Sequence, residues 1–82
     1  MSRHALTLLT RLDCPLCDAF LATAEAWAAA RGDVDLTVLD VDADGALAAR
    51  HGLRVPLLLA ADRELCAYRF RGAHVDAQLA AG

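Results

Sequence analysis

The sequence predicts an α/β fold with a mixed four-stranded sheet and helices on both faces, and three observations carry that expectation. Strand-like and helix-like apolar runs follow one another in the order β-α-β-α-β-β-α. The opening β-α-β unit requires a parallel strand pair joined by a right-handed crossover. The late β-β hairpin adds antiparallel strands, and helices on both faces are the economical way to cover such a mixed sheet. No linker composition or internal repeat divides the 82 residues, so one domain, 1–82, is expected.

Each element has its own signal. ALTLLT (5–10) is short, apolar and turn-bounded, as a buried strand should be. Pro15 suits a first helical turn, where its missing N–H would be unpaired in any case. The run from Leu16 to Arg31 is rich in alanine, the best helix former. Its core stripe is expected to be Leu16, Phe20 and Trp27, flanked by Leu21, Ala24 and Ala28, with Gly32 ending the helix. VDLTVLDV (34–41) sets Val34, Leu36 and Val38 against Asp35 and Thr37, the pattern of a strand near a sheet edge. ALAARHG (46–52) reads as a short helix capped by Asp42 or Asp44 and closed by Gly52. PLLLA (56–60) is a wholly apolar strand, ADR (61–63) a tight turn, and ELCAYRF (64–70) a second strand. In that last strand Cys66, Tyr68 and Phe70 are expected on one face, with Leu65 and Ala67 on the other. AHVDAQLAA (73–81) reads as a closing helix.

Composition excludes several function classes. With 57% hydrophobic residues and a mean hydropathy of +0.35, the chain has ample material for a packed core and is not disordered. No apolar stretch reaches the roughly 18 uninterrupted residues of a membrane span. The opening MSRHALTLLTRLDC lacks a long apolar segment and a small-residue cleavage site, so it does not read as a signal peptide. A cytoplasmic protein, with no membrane partner, is therefore expected. Net charge is −3, all basic residues are arginine, and no basic cluster is dense enough for nucleic acid.

The chemistry centres on LDCPLCDAF (12–20). Cys14 precedes Pro15 and so lies at a helix start, where unpaired N–H groups and the positive end of the helix dipole favour an anion. Cys-X-X-Cys thiols in such places have pKa values lowered to roughly 3.5–7.5, which supplies thiolate near neutral pH. Cys17, one turn on, lies on the same helical face with its Cβ about 5–6 Å away, so the pair can close a disulfide with small adjustment. One thiol can attack and the other resolve. The neighbouring Asp13 opposes thiolate formation, and Arg11 is the candidate to offset it.

Other readings compete. Zinc normally needs four ligands, and Cys66, His4, His51 and His74 fall at no ligand spacing, so no metal site is expected. An inert buried pair is the bland alternative, against which Pro15 at the helix start argues. Cys66, mid-strand among apolar neighbours, reads as a small packed hydrophobe. DVDADG (40–45) matches the opening of a calcium loop, but position twelve is His51 rather than a bidentate glutamate, and a strand precedes it. Capping and solvated-loop roles account better for these aspartates.

RVPLLL (54–59) completes the constellation. Taken alone, Val55-Pro56 reads as a trans bond at a loop end. Taken with a strand leading into C-P-L-C, then β-α, a β-hairpin and a last helix, the chain resembles glutaredoxin over essentially its whole length. The likeness is greatest to the small bacterial glutaredoxin-like proteins. It implies a thioredoxin-like, glutaredoxin-type fold in which Cys14 is the nucleophile, Cys17 the resolving thiol and Pro56 a cis-proline beside them. It further implies that the Val55 backbone hydrogen-bonds a bound thiol peptide, and that Arg11 lies where the family often has a lysine near the glutathione carboxylate. Arg54 replaces the usual threonine before Val-Pro, and Leu16 replaces the usual aromatic; Pro15 and Leu16 stand with them as substrate-facing positions. The family's Gly-Gly and acidic pair at the last helix are reduced here to Gly72 and Asp76 in Gly72-Ala73-His74-Val75-Asp76. The expectation is a monomeric dithiol oxidoreductase acting on a protein or small-molecule thiol or disulfide. No cofactor is bound, and glutathione is a co-substrate that reacts but is held weakly. The alternatives are a non-catalytic binding module that uses the Pro56 groove and a soft-metal carrier through the cysteine pair.

Overall fold

The computed structural model describes residues 3–82. The elements are β1 (His4–Thr10), α1 (Pro15–Arg31), β2 (Val34–Asp40), α2 (Gly45–His51), β3 (Leu57–Ala60), β4 (Arg63–Ala67) and α3 (Gly72–Ala81), with a 3-10 turn at Val41–Ala43. The four strands form one sheet in the order β2-β1-β3-β4. β1 pairs parallel with β2, His4 opposite Val34 through Thr10 opposite Asp40, and antiparallel with β3, Leu9 opposite Leu57. β3 and β4 form the expected antiparallel hairpin.

Strand alternation builds two cores. Leu6, Leu8 and Leu58 face α1 and α3, where they pack with Phe20, Ala24, Val75 and Leu79. Leu9, Leu57 and Leu59 face the other way with Val41, and Leu47 of α2 covers them. The period of two along β1 and β3 therefore sends successive leucines to opposite helical layers.

Local chemistry sets the helix boundaries. Gly32 closes α1 at φ 78°, a left-handed position natural to glycine, and its N–H donates to the Ala28 carbonyl. Asp44 caps α2 by accepting from the Ala46 N–H at 2.7 Å and the Leu47 N–H at 3.4 Å. Asp40 caps the 3-10 turn by accepting from the Asp42 N–H at 2.9 Å. Two of the calcium-like aspartates are thus caps, and the third, Asp42, pairs with an arginine.

Three expectations need correction. Leu16 is not on the buried stripe of α1: it is 47% exposed, and Cys17 joins Phe20 and Ala24 in the interior. The second hairpin strand ends at Ala67 rather than running to residue 70, because Tyr68 turns out of the ladder at φ 68°. The face assignment within it also fails: the register slips between Leu58 and Leu59, where Leu58 opposes Cys66 but Leu59 opposes Glu64. The extra residue lets Leu65 and Cys66 both enter the α1/α3 core, as a bulge re-aims side chains.

β2 is an edge strand, as its pattern suggests, and its Val38 and Leu39 are each 41% exposed. Leu58, by contrast, is fully buried in an inner strand. Replacing Leu58 by Ala is expected to cost about 2–5 kcal/mol, while Val38→Ala stays within about 0.5 kcal/mol. Chemical denaturation with unchanged slopes checks both values.

Candidate functional site

The site lies where β1 ends and β3 begins. Because Leu9 opposite Leu57 is the last rung of their antiparallel ladder, the 11–14 loop and Pro56 emerge at the same end of the sheet. The loop turns sharply at Asp13, which has φ 56°, a region aspartate tolerates better than most side chains. It delivers Cys14 as the N-cap of α1, with Pro15 in the first turn. The Cys14 Sγ accepts a hydrogen bond from the Cys17 N–H at 3.1 Å. The sulfur thus occupies the position a Ser or Asp oxygen takes in ordinary caps.

Cys14 and Cys17 are joined as a disulfide, with Cα atoms 5.2 Å apart. Cys14 is half-buried, whereas Cys17 is only 1% exposed. When the pair is reduced, the same N–H and the helix dipole stabilise negative charge on Cys14. Cys66 behaves as the sequence suggests: it is 7% exposed, packs in the core, and donates its S–H to the Arg69 carbonyl at 2.8 Å.

The Val55-Pro56 bond is cis, as the family resemblance implies. Among the described residues, neither backbone group of Val55 is hydrogen-bonded within the protein, so both are available to an extended partner. The adjoining turn is tied down from β4: the Tyr68 N–H donates to the Pro56 carbonyl at 2.8 Å, and the Tyr68 hydroxyl donates to the Leu53 carbonyl at 2.9 Å.

The charged candidates are otherwise engaged. Arg11 forms a bidentate pair with Asp42, Nε–Oδ2 2.7 Å and NH2–Oδ1 3.0 Å, and also donates to the Gly52 carbonyl at 3.0 Å. It therefore pairs with the 3-10 turn and the end of α2 and not with Asp13, so the charge anticipated as an offset beside Cys14 is engaged there instead. Arg54 pairs with Glu64 and stacks over the Tyr68 ring at 5.2 Å. Asp76 accepts from Trp27 Nε1 at 2.9 Å and from Arg31 NH1 at 2.7 Å, bridging α3 to α1. Gly72, at the start of α3, lies so close to Trp27 that a Cβ would come within 3.2 Å of its Cδ1. Pro15 and Leu16 are exposed beside the cysteines, while Gly72 opens α3 and Asp76 lies one turn further along it.

Sequence reasoning missed Tyr68 and Asp42. In the sequence Tyr68 reads as one more residue of a strand face, and only the hairpin brings it to Leu53 and Arg54. Asp42 reaches Arg11 only because β1 and β2 run in parallel, so that both residues follow the same end of the ladder.

The family model described as Glutaredoxin-like domain (DUF836) matches residues 5–80. The chain belongs to this family. Among solved structures, protein XcR50 of X. campestris is 35% identical, with 94% of this chain and 97% of that one covered and a TM-score of 0.68. Protein Ne2328 of Nitrosomonas europaea is 26% identical over 95% of this chain and 93% of that one, with a TM-score of 0.79. The germline-specific thioredoxin Deadhead of Drosophila melanogaster is similar in fold, at 18% identity, coverage of 98% and 81%, and a TM-score of 0.62. No curated protein matches the chain. The fold of this glutaredoxin-like domain is thus thioredoxin-like, and its paired Cys14 and Cys17 are consistent with redox chemistry. No helix among the described residues is long and apolar enough to cross a membrane.

Two predictions follow from this geometry. In the reduced glutaredoxin-like domain, mild iodoacetamide should label Cys14 well before Cys17 or Cys66, as read by peptide mass mapping; faster labelling of either buried thiol contradicts the role assignment. The bonds from Trp27 and Arg31 hold the Asp76 carboxyl below its ordinary value of 3.8. A depressed folded-state pKa stabilises fully above that ordinary value and is lost as pH falls through the folded one. Asp76→Asn should therefore lower Tm modestly at neutral pH, since the group is half exposed. The gap from the natural protein should close as pH drops below 3.8.

Proposed function

We propose that the protein is a thiol–disulfide oxidoreductase working through Cys14 and Cys17. One observation carries the reading: a half-exposed Cys14 sulfur caps a helix while its partner, one turn on, is buried within disulfide reach. In the reduced protein Cys14 gives its proton to solvent, and the thiolate attacks one sulfur of a substrate disulfide. A Cys14–substrate S–S bond forms as the substrate bond breaks, and the departing thiolate takes up a proton. Cys17, deprotonated in turn, attacks the Cys14 Sγ and expels the second substrate thiol, leaving the Cys14–Cys17 disulfide. Two electrons and two protons pass to the substrate, and an external dithiol or pair of thiols restores the protein. This cycle needs no resident cofactor and suits a monomer in a reducing compartment such as the cytoplasm.

Glutathione enters this reading as a co-substrate that reacts but is weakly held. Arg11, Arg54 and Asp76, the side chains that would meet its charged ends, are each in a formed ion pair. Binding through them exchanges one charge-assisted contact for another, so little of the roughly 1.5–3 kcal/mol per such bond is gained. Gly72 and Ala73 at the start of α3 still offer backbone N–H groups to a carboxylate.

Turnover of 2-hydroxyethyl disulfide with a dithiol reductant tests the reading. Cys14→Ser should abolish it. Cys17→Ser should stall with a single glutathionyl group on Cys14 after exposure to oxidised glutathione, seen as an intact-mass increase. With the natural protein, glutathione-dependent turnover should rise almost linearly with glutathione and saturate poorly. Activity surviving Cys14→Ser would sink the mechanism, and a dithiol that never cycles would favour a binding role.

A further inference from the structure

The surroundings of the dithiol combine two features that a small thiol does not require. Among the described residues, four of the six exposed large hydrophobics, Leu12, Leu16, Leu53 and Tyr68, lie on the segments at the Cys14 end of the sheet, with exposures of 78%, 47%, 93% and 39%. Leu16 and Phe70 line a depression of about 270 Å³ beside α1. A second depression, of about 390 Å³, is lined by Arg54, Glu64, Arg69, Arg71 and His74 among others. The two share Tyr68 and Arg69 and so adjoin, making a groove that runs from Leu16, the residue between Pro15 and Cys17 in the motif, to His74 in the first turn of α3.

The groove is charged against the trend of the chain. The protein carries −3 overall, yet residues 65–75 contain Arg69, Arg71 and His74 and no carboxylate. Asp76 just beyond is taken by Arg31, and Glu64, the one carboxylate lining the groove, is paired with Arg54, which lines it too, so the lining keeps an excess of two arginines. Arg69 and Arg71 are exposed and have no carboxylate partner among the described residues. At physiological salt the screening length is about 8 Å, so a segment lying in the groove responds to these arginines more than to the distant net charge.

Resting on the thiol–disulfide reading, we propose that the substrate class is a disulfide within an acidic polypeptide segment. An apolar side chain beside the substrate cysteine sits against Leu16 and Phe70. Carboxylates a few residues along meet Arg69 and Arg71. The unpaired Val55 backbone groups give such an extended segment a further place to bond.

Three synthetic peptides test this, each with one disulfide and a leucine beside the cysteine, and with glutamates, serines or lysines along the flank. Single-turnover oxidation of the reduced protein is followed at two ionic strengths, and each rate is divided by that protein's own rate with neutral 2-hydroxyethyl disulfide. The acidic peptide should react about tenfold faster than the lysine peptide at low salt, with the ratio shrinking as salt rises. Arg69→Gln with Arg71→Gln should remove the preference, and Arg69→Glu with Arg71→Glu should invert it. Equal rates for all peptides, or a preference that survives both double variants, overturns the proposal. Should 2-hydroxyethyl disulfide itself not react, the redox reading fails separately. Fluorescence anisotropy with a cysteine-to-serine acidic peptide then decides: saturable binding lost in the glutamate double variant sustains the groove, and no binding refutes it.

Discussion

Seating α1 on the sheet is the constraint on which the rest depends. Cys17, Phe20 and Ala24 are buried along one face of that helix, and its first turn therefore cannot shift without opening the core. Cys14 inherits this fixed position while remaining outside it. A reactive sulfur held at a helix terminus needs a rigid base, because the stabilising N–H must keep its direction as charge appears. Phe70 strengthens the seat by meeting Phe20 edge-on at 5.5 Å and Trp27 at 5.4 Å, which clamps the turn before α3 against the same helix. Helix, dithiol and groove floor are thus one packing unit.

Arginine use divides the surface into two kinds of ground. Arg3, Arg11, Arg31 and Arg54 are structural: each pairs with a carboxylate and joins segments remote in sequence, Asp35, Asp42, Asp76 and Glu64 respectively. Exposed pairs of this sort contribute little individually, but they consume the cations that a purely compositional reading would assign to ligands. Arg11 and Arg54 show the effect most clearly, since family resemblance assigns them to substrate while the fold commits them to Asp42 and Glu64. What remains unpaired near the dithiol lies on the turn between β4 and α3.

The features legible in the sequence were those set by local chemistry. Cys-Pro at a helix start, Gly32 at its end and Asp44 before α2 each act within one turn, and each falls where residue type alone would put it. Leucine alternation in β1 and β3 was equally readable, because a period of two survives any tertiary context that buries both faces. The failures have long-range causes. The bulge between Leu58 and Leu59 is decided by how two strands meet, and it moved Leu65 to the face reserved for Cys66. Leu16 was misassigned because a three-residue helical spacing from Cys17 to Phe20 serves the interior as well as the four-residue one from Leu16. The Arg11–Asp42 and Tyr68–Leu53 contacts span 31 and 15 residues, beyond any window that reads neighbours.

The lone tryptophan has a practical meaning. Trp27 donates its indole N–H to Asp76, lies beneath the Arg31 guanidinium at 5.4 Å, and touches Phe70, all on the side of α1 that receives α3. Its bonded partners belong to the helical interface and not to the cysteines, three turns away. The chain therefore carries an intrinsic optical probe seated at the interface between its first and last helices.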